Sequence, residues 1–294
     1  MRKTTLVAAG VALVLTLTAC SGNSATGTAE PAAASGQSQS DGLASPFTDA
    51  VQLASVSKQG TEKSKSAKFT MEGSAGGQTM TANGAMAFDG AATKFSMTMT
   101  AAGQTTEMRM VDKVMYIKLP ADEQKQMGTD KSWAKISADG NDPLSQALGS
   151  SLSQSAEQSD PSKSLDQISK AGRIVSSDQT ELNGQKVNHY KLELDIAKAI
   201  DQFTGQIPAA ARAQVTDKLK GKDVKIPVEL WLDKDNLPVQ MTMDQGPLMQ
   251  ALGAPAGDAK FTMKYSDWGT QVDVTAPAAD QVVDLGELMK KAGR

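Results

Sequence analysis

The chain has one cysteine, one histidine and no cluster of lysines or arginines in its 294 residues. Each shortage removes a class of function. A single thiol forms no internal disulfide, so the folded part must be stable through its core, which is feasible at this length. One histidine without a second thiol leaves no ligand set for zinc and no cysteine nucleophile. His189 alternates out of phase with Tyr190, Leu192 and Leu194, which predicts that it faces solvent. A Ser-His-Asp arrangement would have to use it, and no Gly-x-Ser-x-Gly elbow is present. Asp233, Asp235 and Asn236 lack the glycine and terminal glutamate of a calcium loop and read as hairpin residues. No glycine loop for phosphate appears, so no metal or cofactor is expected. A net charge of −3 without a basic patch leaves no footprint for nucleic acid or anionic headgroups. The expectation is a non-enzyme.

Long apolar runs are scarce too. The run from Leu6 to Leu17 is too short to stay as a membrane span, which needs about 20 residues. With Arg2 and Lys3 before it and small residues after it, it reads as a secretory signal. Its ending, Leu17-Thr18-Ala19-Cys20, resembles the lipobox of bacterial lipoproteins. That resemblance implies that residues 1–19 are removed and that the Cys20 thiol carries diacylglycerol. It also implies a chain held on the extracytoplasmic face of the cell membrane. Losing Arg2 and Lys3 takes the net charge to −5. The alternative is an ordinary secreted protein with a cysteine near its cleavage site. Residues 20–45 are mostly Ser, Gly, Ala, Thr, Gln and Pro without apolar periodicity, the composition of a disordered tether. Such a coil spans about 28 Å root-mean-square, and two or three acyl chains anchor it stably where one does not.

Residues 46–294 read as a single domain. Ser45 and Pro46 predict the start of a helix carrying Phe47, Val51, Leu53, Ala54 and Val56. About five alternating strands then follow between Lys68 and Leu119, with turns at Asp89-Gly90, Ala102-Gly103 and Asp112-Lys113. Residues 121–140 read as a polar connection with Trp133 as its packing anchor. Helices are expected after Asn141-Asp142-Pro143 and after Asp160-Pro161, the second stopping at Gly172. Strands resume at Ile174 and turn at Asn183-Gly184, and helices follow from Ile196 to Leu219. Hairpins over 224–244 and 260–275 and a terminal helix over 285–291 complete the pattern. About ten antiparallel strands with segregated helices predict an α+β fold, a large curved sheet with helices on its concave face.

What the chain has in quantity is methionine. Eleven of its 15 methionines fall in the predicted strands. Period-2 alternation puts Met71, Met86, Met97, Met99, Met108, Met110, Met115, Met241, Met243 and Met263 on one face with Phe69, Phe88, Phe95 and Phe261. β-Branched residues have the higher strand propensity, so methionine in their place suggests a surface that adapts to a variable shape. Those fourteen side chains are the candidate lining of an apolar cavity for acyl chains. The alternative is a plain core rich in methionine.

The later strands carry a further resemblance. The stretch from Asn183-Gly184 to His189-Tyr190, the run Val228-Glu229-Leu230-Trp231-Leu232-Asp233 with Leu237-Pro238, and Tyr265-Ser266-Asp267-Trp268-Gly269 running into Val272, Val274 and Pro277 resemble the LppX/LprG family of actinobacterial lipoproteins. In layout the resemblance covers roughly residues 46–283. It implies a half-barrel similar to the lipoprotein carrier LolA, with helices lining a large apolar cavity. It further implies binding of multi-acylated lipids or glycolipids and their transfer through the cell envelope, with a membrane transporter as the candidate partner. No family motif marks individual binding residues. An envelope scaffold that binds a protein through the same fold is the competing expectation, and a hydrolase using His189 is a third.

Overall fold

The computed structural model describes residues 42–88, 94–137, 161–205, 209–254 and 259–291. Five strands come first: β1 (Ser66–Ala75), β2 (Gln78–Ala87), β3 (Lys94–Ala101), β4 (Gln104–Val111) and β5 (Val114–Lys118). Short-range chemistry explains their succession. Ala102 and Gly103 have φ of 50° and 79°, and Asp112 and Lys113 have 50° and 63°. Two consecutive positive φ values make the tight turn whose twist matches paired strands. The predicted turn at Asp89-Gly90 lies outside the described residues.

After β5 come β6 (Trp133–Ser137), then β7 (Gly172–Leu182) and β8 (Gln185–Asp195), joined by Asn183 and Gly184 at φ of 53° and 79°. β9 (Lys225–Leu232), β10 (Pro238–Asp244), β11 (Ala259–Ser266) and the short β12 (Val282–Asp284) complete one sheet. Its spatial order is β12-β6-β5-β4-β3-β2-β1-β11-β10-β9-β8-β7. Every neighbouring pair is antiparallel except β12 on β6. This is a large open sheet with a few helices, as the α+β expectation has it.

The helices are α1 (Ala50–Ser64), α2 (Ala121–Gln126), α3 (Pro161–Ala171), α4 (Ile196–Gly205), α5 (Ala209–Leu219), α6 (Gly246–Ala251) and α7 (Leu285–Lys291). The first begins later than Ser45-Pro46 predicts. Asp49 is its cap, accepting from the Gln52 amide at 2.8 Å. The Phe47 amide is spent elsewhere, on the Tyr190 hydroxyl, and residues 43–47 form no helix. Leu43 is buried and the Ala44 carbonyl accepts from Gln179 Nε2 and Asn188 Nδ2, both at 3.0 Å. The packed body therefore begins at least three residues before Pro46.

Two further expectations change. Residues 271–275 form no strand opposite β11, whose partners are β1 and β10. With both edges of β11 paired, the chain instead runs on to add β12 beside β6. The connection read over residues 121–140 holds α2 and β6, and Trp133 is buried as expected. The helix predicted after Asn141 lies outside the described residues. Among the described residues no helix is long and apolar enough to cross a membrane.

Candidate functional site

Register settles which side chains share a face, because directly opposed residues on antiparallel strands point the same way. Met115, Met110, Phe95 and Met86 stand opposite one another across β5, β4, β3 and β2. Met108 opposes Met97, and Met97 opposes Gly84, which in turn opposes Phe69. Met99, Ala82, Met71, Met263 and Met241 form the next row, reaching Leu230 and Tyr190. Gly73, Phe261 and Met243 form another and reach Val228 and Leu192. Phe88 follows Met86 by two positions. The fourteen predicted residues thus lie on one face, together with Met80.

That face is divided. One core is built where α1, α3, α4, α5 and α6 cover the strands β8 and β9, from residues such as Leu53, Ile168, Tyr190, Leu192 and Leu230. A second gathers Ala67, Phe69, Met86, Phe88, Phe95, Met110, Met115 and Tyr265, with Trp268 against it and no helical residue among those described. Phe88 meets Trp268 edge-on at 6.3 Å. Met97, Met108 and Met263 pack at the margin of the second core, and Met241 and Met243 at the margin of the first. Met71, Met80, Met99 and Phe261 are half-buried on the same face and, among the described residues, belong to neither core. Half-buried large apolar side chains also fringe the two cores, and these four extend that fringe into a patch that an apolar ligand can cover.

The opposite face is polar, and His189 belongs to it as the alternation predicts. It is nevertheless buried, at 8% exposure, which corrects the solvent-facing expectation. Trp231 on β9 stacks flat on the imidazole, 4.5 Å between centroids and 11° between planes. Asp178 on β7 lies 3.0 Å from Nδ1 and Glu229 on β9 lies 2.9 Å from Nε2. Alternation reads the face but not what covers it. The two ring nitrogens of His189 are occupied by the Asp178 and Glu229 carboxylates.

Further along that face, Glu107 accepts from Arg109 Nη2 at 2.7 Å and from Lys118 at 3.0 Å. Burial pushes its carboxyl up, but the hydrogen bonds and charges of Arg109 and Lys118 outweigh this and hold it below its ordinary value. Arg109 lies over the Trp133 ring at 4.7 Å and donates to the Thr275 carbonyl at 3.3 Å. Residues 273–275 here cross the sheet as a strap, with Val274 buried and a cleft of about 340 Å³ beside them. At the β9–β10 turn Asp233 accepts from the Asp235 and Leu237 amides, both at 2.9 Å. Burial pushes its carboxyl up against those bonds. Among the described residues no group of three or more His, Cys, Asp or Glu is placed to hold a metal ion. Cys20 lies outside the described residues.

Sequence reasoning missed Tyr190, Gln179 and Asn188, which fasten the start of the packed chain. Periodicity marks Tyr190 as apolar and gives no sign that its hydroxyl has a partner 143 positions away. It also passed over Gly73 and Gly84, whose place in mid-strand was the available signal.

No family model matches the chain. Over 164 residues it is 26% identical to an uncharacterized 31.2 kDa protein from the rplA–rplJ intergenic region of Streptomyces griseus. The match takes in 55% of this chain and 51% of that protein, so the chain spans about half the length of the relative it matches. A porin-like protein from Bacteroides uniformis overlays 68% of this chain and 95% of its own, at 8% identity and a TM-score of 0.22.

Proposed function

We propose that this chain is a membrane-anchored extracytoplasmic lipoprotein that binds multi-acylated lipid or glycolipid on the methionine face of an LppX/LprG-like half-barrel. It helps transfer that lipid through the cell envelope. The observation that supports the reading is the half-buried floor of Met71, Met80, Met99 and Phe261, which among the described residues belongs to neither core. Methionine is unbranched and polarizable, so such a floor accommodates chains of differing length and unsaturation. Removing acyl chains from water is worth about 0.8 kcal/mol per CH₂, which makes free passage through water very slow. An apolar surface offers nearly the environment of the bilayer, so exchange between the two is close to balanced and needs no nucleotide. Cys20, alkylated with diacylglycerol, keeps the floor within reach of the membrane it samples.

The test is uptake of a fluorescent phospholipid from vesicles by the Cys20→Ser chain. Met71→Asp and Met99→Asp, flanking Ala82 in one row of β1, β2 and β3, each place a charge on the floor and abolish uptake in this account. Thr98→Asp, on the polar face, leaves it intact. Equal uptake by all three variants would sink the assignment of the site.

A further inference from the structure

Two glycines interrupt the apolar face, and each stands opposite a phenylalanine. Gly73 on β1 opposes Phe261 on β11, and Gly84 on β2 opposes Phe69 on β1. Antiparallel sheets fill a missing side chain in this way, with the ring laid across the glycine. The two pairs are built for different reasons. A Cβ at Gly84 would run into the Ser96 carbonyl oxygen as well as the Phe69 ring, so the backbone itself demands glycine there. Phe69 is also buried in the second core, and its ring is held on several sides.

Gly73 is free of the backbone constraint. The three atoms nearest its absent Cβ are all side-chain atoms: Phe261 Cδ1 at 2.5 Å, Phe261 Cε1 at 2.8 Å and Met80 Cγ at 3.2 Å. Phe261 is half-buried and belongs to neither core. Its ring lies low because Gly73 leaves it the room. The row Met80, Gly73, Phe261, Met243 therefore sets one rigid, flat element among flexible thioethers.

We infer that the Gly73–Phe261 pair fixes the depth of the floor and so selects acyl chains by cross-section; this rests on the lipid-binding reading above. The methionines adapt to a chain's course, whereas the ring sets how deep any chain lies. A methyl at position 73 must lift the ring, since its Cβ would sit within 3.0 Å of two ring carbons. A raised ring penalises a bent cis chain more than a straight one. Removing the ring deepens the floor and does the reverse.

The experiment measures equilibrium binding of palmitate and oleate to the full chain carrying Cys20→Ser. It compares that parent with Gly73→Ala, Phe261→Ala and the double variant, each checked by thermal unfolding. In Gly73→Ala the affinity for oleate falls about fourfold relative to palmitate, the worth of one methyl-sized group. In Phe261→Ala the ratio moves the other way. The double variant matches Phe261→Ala, because without the ring the added methyl has nothing to lift. A parent that binds both probes with the same ratio in all variants overturns this inference and leaves the lipid reading standing. A parent that binds neither overturns both. Should Gly73→Ala not fold, an unchanged ratio in Phe261→Ala alone contradicts the inference.

Discussion

Tyr190 holds the start of the packed chain: its hydroxyl accepts a hydrogen bond from the Phe47 amide at 3.1 Å. The ring is fully buried in the core beneath α1, and burial pushes the hydroxyl's pKa up while the bond from Phe47 draws it back. Tyr190→Phe keeps the ring and strands the amide. It lowers stability by about 1–2 kcal/mol. Urea unfolding reads this as a lower midpoint with unchanged slope.

His189 ties three strands on the polar face through Asp178, Glu229 and the stacked Trp231. His189→Ala removes both hydrogen bonds and the stack, and costs about 1–3 kcal/mol. Lipid uptake at saturating vesicle concentration is unchanged, because the residue faces away from the methionines. Loss of a hydrolytic turnover in this variant would point to the hydrolase alternative instead.

Glu107 gives the fold a sensitivity to acid. Its folded carboxyl titrates below the ordinary value, so it contributes stability that is fully present above the unfolded pKa. That contribution is lost as pH falls through the folded pKa. Glu107→Gln has no such carboxylate, so its stability falls less between pH 5 and pH 3 than that of the parent, about the ordinary carboxylate range. Unfolding midpoints across that range check the slope. The effect is small, since the group is a quarter exposed, at 26%.

Asp233 behaves in the opposite sense. Its folded pKa is raised by burial, so the ionised carboxylate costs stability at neutral pH and the cost disappears as pH falls. Asp233→Asn keeps an oxygen for the Asp235 and Leu237 amides and removes the charge. It is at least as stable as the parent at pH 7. Asp233→Ala removes the single oxygen that accepts from both amides and is destabilised by about 1–2 kcal/mol. A stable Ala variant beside an unstable Asn variant would reverse this account of the turn.

The residues that were legible in the sequence are those governed by their neighbours. Met97 and Met99 alternate with Ser96 and Thr98, and Asn183-Gly184 can hardly be anything but a tight turn, so faces and hairpins followed directly. Features set by distant partners were not legible. Val282–Asp284 is too short to show a pattern, and it is a strand only because β6 offers an edge. Residues 271–275 alternate like a strand but find both edges of β11 taken. His189 has the phase of a surface residue, and it is covered by Trp231, Asp178 and Glu229 on the neighbouring strands. For the candidate site, alternation placed all fourteen side chains on one face. It did not show that four positions, Met71, Met80, Met99 and Phe261, would escape both cores. That division depends on which strands the described helices pack against.

The central claim is that lipid occupies this methionine face, and its most direct measurement is mass spectrometry of organic extracts from the purified Cys20→Ser chain. The account predicts acyl lipid recovered in stoichiometric amount, and much less from Met71→Asp purified alongside. A parent chain that carries no lipid and takes up none from vesicles would contradict it.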